Sequence, residues 1–114
     1  MVADCIFCKI ASGKMGTPLV YQDDMVAAFR DINPQAPVHI LVVPKRHIEK
    51  LNDLEKEETL TAGLLRVCIL LARQEGLADD GYRLVANCGA KAGQSVFHVH
   101  VHLLGGRPMQ WPPG

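Results

Sequence analysis

Short apolar stretches rich in β-branched and aromatic residues recur at 19–22, 25–31, 38–44, 82–88 and 96–104. Each is bounded by turn formers, and together they predict about five strands. Asp23-Asp24 lies between the first two as a hairpin turn, and residues 33–37, Asn-Pro-Gln-Ala-Pro, must be a loop because proline cannot donate to a ladder. From 53 to 76 the period changes. Leu60, Leu64, Val67, Cys68, Leu71 and Ala72 recur at three and four residues, the stripe of an amphipathic helix. Glu55, Glu57 and Glu58 at its start and Arg73 and Gly76 at its end agree with the helix dipole and a glycine cap. A shorter helix is expected over 5–12, closed by Gly13. Strands, one long helix and further strands make an α+β domain on a mostly antiparallel sheet.

The chain has 114 residues, 12 Lys plus Arg against 12 Asp plus Glu, which fits a single domain over 1–114. A balanced charge removes the basic footprint of a nucleic-acid binder, so any polyanion must be held by a local site. The longest uninterrupted apolar run, 67–72, is far short of the roughly 18 residues of a membrane span. Asp4 and Lys9 break up any N-terminal signal segment, and a soluble cytoplasmic protein is expected. Reduced thiols are expected at all four cysteines, with Cys68 and Cys88 acting as small buried hydrophobes. The pair Cys5-x-x-Cys8 fits either a redox motif or half of a zinc site.

The segment His98-Val99-His100-Val101-His102 carries the most chemistry. Alternation along a strand puts three imidazoles on one face and Val99, Val101 and Leu103 on the other. Each buried imidazole has two nitrogens to satisfy, so packing alone does not explain three of them at period two. A glycine-containing turn precedes them at 87–95, and its backbone N–H groups are expected to form a nest for an anion. Two chemistries fit. The histidines converge on a zinc that activates water, or one neutral imidazole is a nucleophile whose neighbours orient it and bind developing charge.

The His-x-His-x-His strand resembles that of the histidine triad (HIT) superfamily of nucleotide hydrolases and transferases. The likeness extends over 5–10 (Cys-Ile-Phe-Cys-Lys-Ile), 29–37, 43–47, 93–97 and 105–114. The ending from Trp111 resembles the Hint branch rather than the dinucleoside polyphosphate hydrolases. The resemblance implies a HIT-like fold with a five-stranded sheet, one long and one short helix, and a homodimer joining two sheets into one of ten strands. It implies hydrolysis of purine nucleoside 5'-phosphoramidates and aminoacyl-adenylate-like compounds to the monophosphate, through a nucleotidyl-histidine. His100 matches the nucleophile, His102 and His39 the other active-site histidines, and His98 supports His100. Ser95 matches the leaving-group position. Asp31 corresponds to the ribose carboxylate, Ile6, Phe7, Phe29 and Ile32 to the base clamp, and Asn87, Gly93 and Val96 to the phosphate and ribose side.

In zinc-bearing relatives the cysteine pair is completed by the histidines that match His47 and His98, which implies a structural Cys₂His₂ site with no metal needed for catalysis. The segment 105–114, with Pro108, Pro112 and Pro113, is expected to form a strap anchored by Trp111 and directed toward the partner subunit. A zinc hydrolase using the histidine strand as ligands and a nucleotide-binding scaffold are the alternative readings.

Overall fold

The computed structural model describes residues 4–114. Its sheet runs in the order β1 (Tyr21–Gln22), β2 (Val26–Arg30), β3 (Val38–Pro44), β5 (Val101–Gly105), β4 (Tyr82–Val85). All four strand pairings are antiparallel. Asp23 closes the first hairpin, its Oδ1 accepting the N–H groups of Met25 and Val26 at 2.8 Å each. The two helices are α1 (Ile6–Ala11) and α2 (Glu58–Gln74).

Alternation sorts β2 and β3 into two apolar faces. Val26, Ala28, Ile40 and Val42 meet the stripe of α2, together with Val99, Val101 and Leu103. Ala27, Phe29, Leu41 and Val43 meet Phe7 and Ala11 of α1. With a helix on each side, these central strands bury both faces and read as nearly continuous apolar runs. At the end of α2, Gly76 takes φ +76° and Leu77 N–H reaches back to Ala72 O at 2.8 Å, so the expected glycine cap is present.

Three boundaries differ from expectation by three residues or more. The long helix starts at Glu58 rather than 53, and a separate 3₁₀ turn occupies Leu51–Leu54. Leu54 is buried within this turn, ahead of the helix. Glu55 and Glu57 therefore precede the helix. The last strand starts at Val101 rather than 96. The register pairs Val42 with Val101, which puts Pro44 opposite Val99, and a proline has no N–H to continue the ladder. Val99 N–H bonds instead to Ile48 O at 2.7 Å. β4 stops at Val85 rather than 88.

Past Gly105 the chain leaves the sheet. Gly106, at φ +92°, passes so close to Pro37 that a Cβ there would lie 2.9 Å from the ring. Trp111 does not anchor the segment on its own chain. It is 81% exposed, with the Arg83 guanidinium carbon 6.0 Å from its ring.

Truncating Leu71, buried between α2 and the sheet, is expected to cost about 3 kcal/mol in urea unfolding, and Arg66→Ala on the solvent side of the same helix less than about 0.5 kcal/mol.

Candidate active site

α1, the ends of β2 and β3, and the segment leading into β5 enclose a cavity of about 300 Å³. Its apolar wall includes Ile6, Phe7, Phe29 and Ile32, and its polar wall includes Asp31, Ser95, His100 and His102, with Val96 between. Ile32 stands at the mouth, 98% exposed.

The hydrogen bonds fix the tautomer of each imidazole. His100 Nδ1 lies 2.8 Å from the backbone oxygen of His98. A carbonyl only accepts, so Nδ1 carries the proton and the lone pair is left on Nε2. Phe7 packs edge-on against the same ring, centroids 5.0 Å apart. His39 Nδ1 accepts the N–H of Gln35 at 3.0 Å, so its proton sits on Nε2. That Nε2–H is 2.9 Å from His102 Nδ1, and also 3.4 Å from an oxygen of Asp31. His102 must then accept at Nδ1 and carry its own proton on Nε2.

Burial first, and then the neighbouring His100 and His39, push His102 down to about 4. Burial also lowers His39, against an opposing pull from Asp31. Both rings are therefore neutral at pH 7. Asp31 is braced by the N–H of Asn33, which donates to Oδ1 at 2.8 Å.

The His98 ring does not join this group. It is fully buried, its Nε2–H donates to Pro44 O at 2.8 Å, and its Nδ1 lies 3.3 Å from Cys5 Sγ and 3.5 Å from Cys8 Sγ. His47 Nδ1 is 3.4 Å from Cys8 Sγ. Cys5 is the N-cap of α1, its sulfur accepting Cys8 N–H at 3.3 Å, and this turn brings the two thiols of the Cys-x-x-Cys spacing together. The four ligand atoms lie within 4.8 Å of one another. Tetrahedral zinc with bonds of about 2.0–2.3 Å needs sulfur and nitrogen neighbours roughly 3.5 Å apart, so the donor set fits such an ion.

Convergence of His98, His100 and His102 on one metal is thereby corrected: the first ring is turned to the cysteines, and His98 supports His100 through its carbonyl. Asp31, His39 and His102 also approach one another closely enough to ligate. The Gln35 N–H keeps the proton on the very nitrogen of His39 that would have to bind, so this trio is a hydrogen-bond chain.

Asn87 and Gly93 are not on the cavity wall. Asn87 lines a separate hollow with Arg83, Arg107 and Gln110. Three amides of the turn at 87–95 are bonded within it. Gly89 N–H goes to Gln94 Oε1 at 2.8 Å, Gln94 N–H to Gly89 O at 3.1 Å and Gly93 N–H to Ala90 O at 3.0 Å. Gln94, buried with its amide nitrogen on Glu49 O and Val96 O, escaped the sequence reading, as did the wall residues Ile10, Thr17 and Leu41. Two of these have a periodic signal: Ile10 is one helical turn from Ile6, and Leu41 is two strand positions from His39.

The HIT domain family model matches residues 13–109. The purine nucleoside phosphoramidase of Escherichia coli (strain K12) is 48% identical over 110 residues, covering 96% of this chain and 92% of its own. The 14 kDa zinc-binding protein of Brassica juncea is 51% identical over 115 residues, covering 97% of this chain and 100% of its own. A crystal structure of a HIT family hydrolase from Legionella pneumophila Philadelphia 1 superposes with TM-score 0.94 at 50% identity, covering 97% of this chain and 100% of that one. The chain thus belongs to the HIT family, in the Hint branch that holds the purine nucleoside phosphoramidases.

His39 and His102 bind protons more weakly folded than unfolded, so unfolding takes up protons between about pH 6.5 and 4. Their contribution to stability is complete above about pH 6.5 and is lost as pH falls through that window. Urea unfolding should therefore show stability lower by about 1 kcal/mol at pH 5 than at pH 7, after discounting for the partial exposure of His102. His102→Gln should flatten this limb.

Proposed function

We propose that this HIT-family hydrolase cleaves purine nucleoside 5'-phosphoramidates and aminoacyl-adenylate-like compounds to the nucleoside monophosphate through a covalent intermediate on His100. One observation carries the reading: the His98 carbonyl holds the His100 Nδ1 proton, leaving the Nε2 lone pair on a ring that lines a nucleotide-sized slot. Ile6, Phe7, Phe29 and Ile32 flank the purine, Asp31 accepts from the ribose hydroxyls, and Ser95, Val96 and His102 face the phosphate. With Asn87 and Gly93 off the wall, their share of the phosphate contacts falls to these residues.

His100 Nε2 attacks the α-phosphorus as the P–N bond breaks, and the amine departs with the proton of the Ser95 hydroxyl, which water replaces. His102 donates its Nε2–H to the phosphoryl oxygens as charge grows on them. His39 acts from behind by keeping His102 in the donating tautomer. Water then breaks the P–N bond to His100, releasing the monophosphate and restoring the lone pair. None of these steps uses a metal.

Cys5, Cys8, His47 and His98 would hold a structural zinc, a reading supported by their spacing and by their likeness to the 14 kDa zinc-binding protein of Brassica juncea. When bound, the ion cross-links α1 to the segments carrying His47 and His98. A reduced thiol pair suits the cytoplasm. A homodimer is supported by the edge position of β4 and by Leu65 and Ile69, which α2 leaves half-exposed. The exposed Trp111 is then available to the partner's site. Among the described residues, no helix is long and apolar enough to cross a membrane.

His100→Ala should lower kcat for an adenosine phosphoramidate by roughly 10³-fold or more while monophosphate binding persists, and a variant within tenfold of the parent would overturn the nucleophile assignment. Measured turnover also separates an enzyme from a scaffold. Purified chain should carry about one zinc, and strong chelators should lower the thermal midpoint without abolishing turnover at low temperature. Metal-free protein as isolated would overturn the zinc assignment.

A further inference from the structure

Arg107 lies two residues past the end of β5 and turns back over the 33–37 loop. Its Nε and Nη2 both donate to the carbonyl of Gln35, at 3.1 and 3.0 Å, and its Nη1 donates to Pro108 O at 2.9 Å. The amide of the same Gln35 donates to His39 Nδ1 at 3.0 Å. One residue therefore receives the guanidinium on its oxygen and gives its N–H to the histidine pair.

That loop has little else to hold it. Pro34 and Pro37 have no N–H, and local bonds come from Asn33 N–H to Asp31 and from Gln35 Nε2 to Asn33 O at 3.1 Å. The Arg107 fork ties it to a segment 72 residues away, and Gly106 lays its backbone against Pro37 beside that tie.

We propose that Arg107 is a positioning residue of the reaction: by clamping the Gln35 peptide it fixes which nitrogens of His39 and His102 carry protons. This rests on the reaction proposed above. If Gln35 N–H drifts from His39 Nδ1, the proton on His39 is free to move to that nitrogen. His102 Nδ1 then loses its donor and takes the proton itself, so a lone pair instead of an N–H faces the anionic phosphate. Lysine cannot replace the fork, since an ammonium is a point charge without two coplanar donors. Arg107 is exposed, so its bonds add little to global stability and their loss should be read in the chemistry.

The test compares Arg107→Ala and Arg107→Lys with Gln110→Ala, a neighbouring exposed tail residue. The ¹⁵N shifts of the imidazoles in ligand-free protein report the tautomers, and kcat, KM and the thermal midpoint are measured alongside with an adenosine phosphoramidate. Both Arg107 variants should lose the single tautomer at His39 and His102 and lose about tenfold in kcat, with KM changed less than about twofold. Gln110→Ala should match the parent. Unchanged tautomers in Arg107→Ala, or a fall in rate that only follows a fall in thermal midpoint, would overturn the proposal. If the parent chain itself fails to cleave the phosphoramidate, the proposed reaction falls, while the tautomer measurement still decides whether Arg107 governs the pair.

Discussion

Pro44 has no amide hydrogen, and the arrangement of the histidine segment follows from that lack. The ladder between β3 and β5 cannot extend past the pair of Val42 and Val101, so residues 98–100 leave the sheet just where the chemistry is concentrated. Freed from pairing with Val99, the Pro44 carbonyl takes the proton of the His98 ring, while the His98 carbonyl, on the β4 side and beyond the end of that strand at Val85, takes the His100 proton. A regular strand would have committed those carbonyls to a neighbour. The apolar residues between the histidines still reach the core below α2, so the segment keeps strand-like alternation without the strand's hydrogen bonds.

Two proton chains meet at the cavity, both ending on backbone groups. One runs from the His98 carbonyl to His100 and leaves a lone pair; the other runs from the Gln35 amide through His39 to His102 and leaves a donor. Adjacent imidazoles thus present opposite polarities to one substrate. Burial strengthens the division, because it keeps His102 neutral and so able to donate without adding a fixed charge beside the nucleophile.

Much of this was legible from local pattern. β3 was read with its observed bounds, α2 with its stripe and its Gly76 cap, and the alternation of the histidines is a property of period two. The walls drawn by Ile6, Phe7, Phe29 and Asp31 were legible only through family resemblance, since each of those residues alone reads as ordinary core or turn. What stayed hidden depends on partners far apart in sequence. The start of β5 is decided by Pro44, and the meaning of Gln35 by Arg107. The role of the His98 ring is decided by cysteines 93 and 90 residues away. No periodicity records which backbone group a distant side chain will find.

The wall helix α1 has only six residues, well below the roughly 12–15 at which an isolated helix begins to persist in water. Its order is therefore borrowed from tertiary contacts, and the contact at its first turn, from Cys5 to His98, closes a loop of 93 residues. During synthesis the hairpins of β1, β2 and β3 can pair early, while this closure waits until His98 has emerged. The active site is thus among the last parts of the chain to take shape, and a nascent chain cut short before that residue would have much of a sheet and no catalytic centre.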